Sequence, residues 1–393
     1  MRSRLQKKGM TRRQFVAAGS LALGTVLSGC AARLPRSLET GQTPRKSFID
    51  MHVHVAGIGT GETGCFVSER FRNSFFFLID MWAAGVPHWR IEEAGDQLYV
   101  QKLLETVRES RTTARAVILA LDGVYDAQGR LDREQTTLYV PNDYVLRLAR
   151  EHGEFLPGVS IHPARRDAIE ELDRVAEAGA VLVKWLPNTQ RIDPAERRFL
   201  PFYRRLAHHR MPLLCHTGEE YALSAGDQRA GDPKRLLLAL EEGVTVIAAH
   251  CGSLGEEGGR TYLEDFFGLL DRYSNLFGDI SALTQINRRH TLSRLLDEEV
   301  MARLLHGSDY PLPFFPLASP LYFMGRISFS LSLRIQRIGN VLDRDVATKR
   351  GLGVPESIFT KAEEVLKPRL VAWSSSQGPG RRALCQGVAN VSG

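Results

Sequence analysis

From Ser47 onward the chain alternates short apolar runs with longer stretches in which apolar residues recur every three or four positions. The apolar runs are FIDMHVH (48–54), AVILAL (116–121), LPGVSI (156–161), AVLVKWL (180–186), MPLLCH (211–216), VTVIAAH (244–250), NLFGDIS (275–281) and ARLLHGSD (302–309). Most are apolar almost throughout, as parallel strands buried on both faces are. Between them the pattern predicts helices over 96–110, 141–153, 166–179, 194–209, 232–243, 262–274 and 289–300. Pro141, Pro194 and Pro233 stand at helix starts, where a missing N–H does no harm, and Gly153, Gly179 and Gly243 follow helix ends. Eight strands alternating with helices predict an α/β fold, a closed (β/α)8 TIM barrel over 47–366. An open doubly wound sheet is the alternative, and no GxGxxG follows an early strand to favour it.

Two segments break the repeat. Residues 55–95 separate the first strand from the first clear helix and contain SFFFLIDMWAAGVPHW (74–89). An insertion that long at the barrel mouth reads as a lid, with Trp82, Trp89, Phe75, Phe76 and Phe77 as its packing or substrate-facing aromatics. PESIFTKAEEVLKP (355–368) predicts a closing helix, and the rest of 367–393, rich in Ser, Gly and Gln, a poorly ordered tail.

The candidate chemistry sits at strand ends. Asp50, His52 and His54 share one face of the first strand, because strand side chains alternate. Two imidazoles two residues apart on a rigid strand can hold one metal ion. His216 ends the fifth run, His250 the sixth and Asp309 the eighth. All of these therefore fall at the C-terminal mouth of a barrel, where nitrogen and oxygen ligands suit zinc, manganese or iron. Lys184 ends the fourth run. Asp279 ends the seventh and is either a second layer around the metal or a capping carboxylate. Cys215 and Cys251 neighbour site histidines but alternate toward the barrel wall as small apolar residues. His208 and His209 read as solvated.

Charge changes the picture of partners. The chain carries 51 Lys+Arg against 45 Asp+Glu, a net +6. Arg2, Arg4, Lys7, Lys8, Arg12 and Arg13 hold the whole excess, and setting them aside leaves 45 basic against 45 acidic residues. Nothing in motif or remaining charge points to nucleic acid. The basic head precedes an apolar run, Phe15 to Leu27, too short to span a bilayer, which together read as a signal peptide over 1–29. Thr11-Arg12-Arg13-Gln14-Phe15-Val16 resembles a twin-arginine export signal, and Leu27-Ser28-Gly29-Cys30 resembles a lipobox in which Cys30 is lipidated. The expectation is an exported protein of the periplasm or cell envelope, anchored to membrane through Cys30, with 30–46 as a tether. The remaining cysteines, Cys65, Cys215, Cys251 and Cys385, are even in number and permit disulfides without assigning them.

HxH on the first strand, His on the fifth and sixth, and Asp in GSDYP on the eighth resemble the amidohydrolase superfamily. They are most similar to its amidohydrolase-related, metal-dependent branch, which also contains decarboxylases and lactonases. GVSIHP (158–163), VKWLPN (183–188), FGDIS (277–281) and LGVPES (352–357) resemble that branch too. The resemblance implies that His52, His54, His216 and Asp309 hold a divalent metal, zinc before manganese or iron, one ion rather than two. Asp309 would be the general base; His250 either ligates a second metal or stands just off the first, stabilising developing negative charge. Lys184 either bridges two metals as a carboxylated lysine or binds substrate anions. The implied activity is hydrolysis of an amide, ester or lactone of a small molecule, with non-oxidative decarboxylation as the alternative and a non-catalytic lipid-anchored binding protein as a third. His162 and Arg191 are candidate substrate contacts. A carboxylate-binding arginine at the mouth, among Arg165, Arg191 and Arg288, would favour an acid substrate.

Overall fold

Eight strands form: β1 (Phe48–His54), β2 (Thr113–Leu119), β3 (Phe155–Val159), β4 (Leu182–Trp185), β5 (Leu213–His216), β6 (Val246–Ala249), β7 (Leu276–Asp279) and β8 (Leu304–Leu305). The computed structural model describes residues 48–297 and 300–377. The expected signal sequence and tether, with Cys30 and Cys385, lie outside them. The strands pair in chain order, every neighbour parallel, from β1 to β8. Order never reverses, which excludes the doubly wound alternative. The sheet closes where β8 and the turn after it return to β1. The Met51 amide donates to the His306 carbonyl (3.4 Å), Asp309 to His52 (2.9 Å) and His54 to Tyr310 (3.0 Å). The fold is a TIM barrel.

Strand interiors are buried, as the unbroken apolar runs require. Cys215 and Cys251 point outward into the layer between strands and helices, packed with Phe202, Phe266 and Leu213. Cys65, Cys215 and Cys251 are all free and buried, so none of the described cysteines forms a disulfide.

The closing helix runs Glu356–Ser376, straight through Pro368 and eight residues into the expected tail. Packing overrides the proline. Trp373 is buried, and Arg369 donates to the carbonyls of Ala180 (2.9 Å) and Ala176 (2.6 Å) at and just beyond the end of a neighbouring helix. Gly179, with φ 94°, makes room for it: a Cβ there would lie 2.6 Å from Ser376 Oγ. Helices Phe329–Gln336 and Val341–Gly351 were not predicted. His209 is ion-paired with Asp173 (2.6 Å), not solvated.

The 55–95 insertion packs onto the mouth. It folds into helices Glu69–Arg72 and Phe75–Ala83, and a long helix starts at Ile91, five residues before its predicted start. Buried Asp96 pins the first loop, accepting from the Ile58 (2.7 Å) and Gly59 (3.1 Å) amides and from the Thr60 and Thr63 hydroxyls. Tyr310, next to Asp309, donates to the Ala84 carbonyl (3.4 Å), so the helix Phe75–Ala83, in the segment expected to be a lid, is tied to the turn after β8.

Candidate metal centre

His52 is fully buried at the end of β1. Its Nδ1 stands 2.7 Å from Asp279 Oδ2 on β7, which fixes Nδ1 as the protonated nitrogen and leaves the Nε2 lone pair facing the barrel axis. There it meets His54 Nε2 at 3.2 Å, Asp309 Oδ1 at 3.3 Å and Lys184 Nζ at 3.0 Å. His54 Nε2 is itself 3.2 Å from Asp309 Oδ1. The His250 ring lies 5.3 Å from that of His52 and 5.0 Å from that of His216. His52, His250 and Asp309 offer ligand atoms within 4.8 Å of one another. The chain thus brings together Lys184 and all five of the predicted strand-end histidines and carboxylate.

These residues fit a divalent cation. His216 Nε2 is buried and makes no hydrogen bond, with Glu220 Oε2 standing 3.7 Å away. An imidazole nitrogen left so in a protein interior is costly unless a cation takes its lone pair. Burial, reinforced by nearby cations, lowers the pKa of His52 and of His216, and brings His250 down to about 3. All three are therefore neutral and able to ligate. Burial alone would raise the Asp309 carboxyl, but its contact with His52 and a hydrogen bond from His54 bring it well below the usual carboxylate range. Burial also pulls the Lys184 ammonium below its ordinary range.

Asp279 does more than cap. Its Oδ1 accepts from the His250 amide (3.1 Å), the Ser281 amide (3.0 Å) and the Ser281 hydroxyl (2.5 Å). His250 Nδ1 donates to the Ser281 carbonyl at 3.0 Å. One bracket, Asp279 with Ser281, thus sets the tautomer of both imidazoles. With its proton on Nδ1, His250 presents Nε2 as an acceptor, which suits the expected ligand role. His250 and Asp309 both hold left-handed backbone, at φ 63° and 66°, the kind of local strain that collects at functional sites. Gly307 packs so close to β1 that a Cβ would lie 2.6 Å from His52 Cβ. Asp279→Asn is expected to weaken metal affinity about 10- to 100-fold, measured by chelator competition, because the bracket orients ligands without touching the metal. Unchanged affinity would remove it from that role.

Of the three candidate arginines, Arg288 alone keeps an edge without a hydrogen-bond partner among the described residues. Arg165 is spent on Asp167 (2.8 Å) and Asp122 (3.3 Å), and Arg191 is exposed, bonded to Gln135 (2.6 Å). Arg288 is buried, with its charge felt by Glu220 and Asp309. Its Nη1 donates to the Ser253 hydroxyl, while Nε is buried without a partner and Nη2 makes no hydrogen bond among the described residues. The Nε–Nη2 edge, the one that grips a carboxylate with two parallel bonds, is thus free. His162 is not free for substrate. Its Nε2 donates to the Gln190 carbonyl (3.1 Å), its Nδ1 accepts from the Ala164 amide (3.1 Å), and burial brings its pKa down to about 4.

Two acidic residues near the centre were missed. Glu220 accepts from the Ala222 and Leu223 amides, at 2.5 and 2.9 Å. Asp80 reaches the mouth from the lid helix; burial and the charges of Glu220 and Asp309 push its carboxyl up to about 8. The signal for Asp80 was available: it is the only charged residue in FFFLIDMWA.

The sequence profile described as amidohydrolase matches residues 49–319, a span holding every residue of the centre. No curated protein matches the chain. Among solved structures, an uncharacterized TIM-barrel protein from Bordetella bronchiseptica is similar at 15% identity and TM-score 0.54, covering 82% of this chain and 99% of that one. A putative 2-pyrone-4,6-dicarboxylic acid hydrolase from Pseudomonas putida is 15% identical, with TM-score 0.47 over 82% and 98%. A 5-carboxyvanillate decarboxylase from Sphingomonas paucimobilis is 11% identical, with TM-score 0.48 over 82% and 99%. At these identities the likeness is one of fold.

Proposed function

The chain belongs to the amidohydrolase family, and from that premise we propose that it is a metal-dependent hydrolase of small carboxylic acids bearing an amide, ester or lactone bond. The observation that carries the reading is the cluster of His52 Nε2, His54 Nε2 and Asp309 Oδ1 at 3.2–3.3 Å, with His250 beside it and the unpartnered His216 ring 5.0 Å from that of His250. His52, His54, His216 and Asp309 would hold the ion, zinc before manganese or iron. A divalent cation there supplies a polarised substrate carbonyl and a water molecule of lowered pKa. Asp309, kept ionised by the imidazoles around it, takes a proton from the attacking water at its carboxylate and returns it to the leaving group. His250 presents a lone pair at Nε2, as a further ligand or a second proton acceptor. Arg288 grips the substrate carboxylate through its free edge, and the lid carries Asp80 over the mouth.

Decarboxylation stands as the second reading because Arg288 favours an acid. Metal analysis, then activity after chelation and reloading against a panel of lactones, amides and aromatic acids, tests both. A cleaved or ring-opened product supports the hydrolase, released CO2 the carboxy-lyase, and a metal-free inert protein overturns both. Metal per chain in Lys184→Ala decides nuclearity: a fall from two ions to one supports a carboxylated bridge, and one ion in both proteins ends it.

Residues 1–30 support export and anchoring through Cys30, with a twin-arginine route carrying the barrel across already folded. Folding before export would let the protein take its metal in the cytoplasm.

A further inference from the structure

The lid helix Phe75–Ala83 is apolar on both faces. Phe77 and Met81 are buried against the barrel, while Phe75, Leu78 and Trp82, at positions i, i+3 and i+7, form an exposed stripe. Trp82 is 64% and Trp89 81% exposed. Trp82 packs edge-on against Phe314 at 5.6 Å, and the excursion that carries Phe314 also leaves Met324 and Phe329 exposed. An apolar stripe exposed on a helix whose other face is already buried calls for a cover, and beyond the edge contact with Phe314 none of the described residues provides one. At nine residues it rises only about 13.5 Å, and no helix among the described residues is long and apolar enough to cross a membrane.

We propose that this stripe docks on a lipid bilayer, so that the protein lies with its metal-site mouth toward the membrane. The proposal rests on the anchoring of Cys30 proposed above. The 17 residues 31–47 between Cys30 and β1 reach roughly 60 Å when extended, against about 23 Å for the rise of β1 from the barrel floor to its mouth. The tether is therefore long enough for the lid to reach the same surface. Exposed tryptophan and phenylalanine suit the water–hydrocarbon boundary, where an apolar ring is buried and the indole N–H stays wet. Nearby charges cancel in pairs, Arg72 with Glu92 and Arg90 with Glu93. The attraction is accordingly apolar, and headgroup charge contributes little to it.

The tryptophans report it directly, since Trp185 and Trp373 are buried while Trp82 and Trp89 are exposed. Full-length protein is mixed with phosphatidylcholine vesicles brominated in the acyl chains. Sedimentation reads the anchor, and fluorescence reads the lid. We expect a loss of about half the tryptophan emission, unchanged at about 1 M salt. Leu78→Ser with Trp82→Ser is expected to cut the quenching about fivefold with metal content unaltered. Sedimentation without quenching would overturn the docking and leave the anchor standing. Failure to sediment would overturn the anchor as well. A dimer that Trp82→Ser converts to monomer, with no quenching, would assign the stripe to a second copy of the chain instead.

Discussion

Asp309→Asn is expected to lower kcat/KM by about a thousandfold or more, the largest single loss the centre can show. The substitution keeps shape and removes charge. It takes away the proton acceptor and replaces one carboxylate oxygen with an amide that repels a cation. Asparagine tolerates left-handed backbone, so φ 66° at this position does not confound the result with misfolding. Metal content separates the two roles. Full occupancy with activity lost makes Asp309 chiefly the base, whereas lost occupancy makes it chiefly a ligand. Activity within tenfold of the parent would remove it from both.

Arg288→Met is expected to cost about 3–4 kcal/mol in kcat/KM on an acid substrate, some 100- to 1000-fold, mostly through KM. Arg288→Lys should recover little, because an ammonium lacks the side-on fork that Nε and Nη2 provide. The decisive comparison pairs an acid with its methyl ester. If Arg288 grips the carboxylate, the variant loses its preference for the acid and turns over the ester about as well as the parent does. Equal losses on both would reduce Arg288 to a partner for Glu220. In that case Glu220→Gln in the Arg288→Met background should restore activity, since it removes the charge left behind.

The barrel and the gathering of the site side chains at its mouth were legible because each strand carries its own signal. An unbroken apolar run marks a parallel strand, and a histidine or aspartate at its end marks the mouth. His52, His54, His216, His250 and Asp309 could therefore be placed at one mouth from spacing, while their roles came only from the family resemblance. What was not legible depends on contacts between loops distant in sequence. Asp279 and Ser281 set the proton on His250, a tautomer that strand spacing does not record. The choice of Arg288 over Arg165 and Arg191 rests on Asp122 and Asp167 occupying the first and on the exposure of Arg191, bonded to Gln135, which no local pattern records. Pro368 misled for a related reason: it ends isolated helices, but here Arg369 and Trp373 dock the following turns against the barrel.

The bonds that close the barrel are made by residues of the centre: Asp309 donates to His52, and His54 to Tyr310. Residues 52 and 309 are 257 positions apart. At about 5–20 residues per second, the ribosome takes roughly 13–50 s to deliver the second after the first. Through that interval the edge of β1 and its two histidines have no partner strand and no complete set of ligands. The last barrel strand to emerge both seals the fold and completes the cation site, so a chain arrested before β8 lacks the two together.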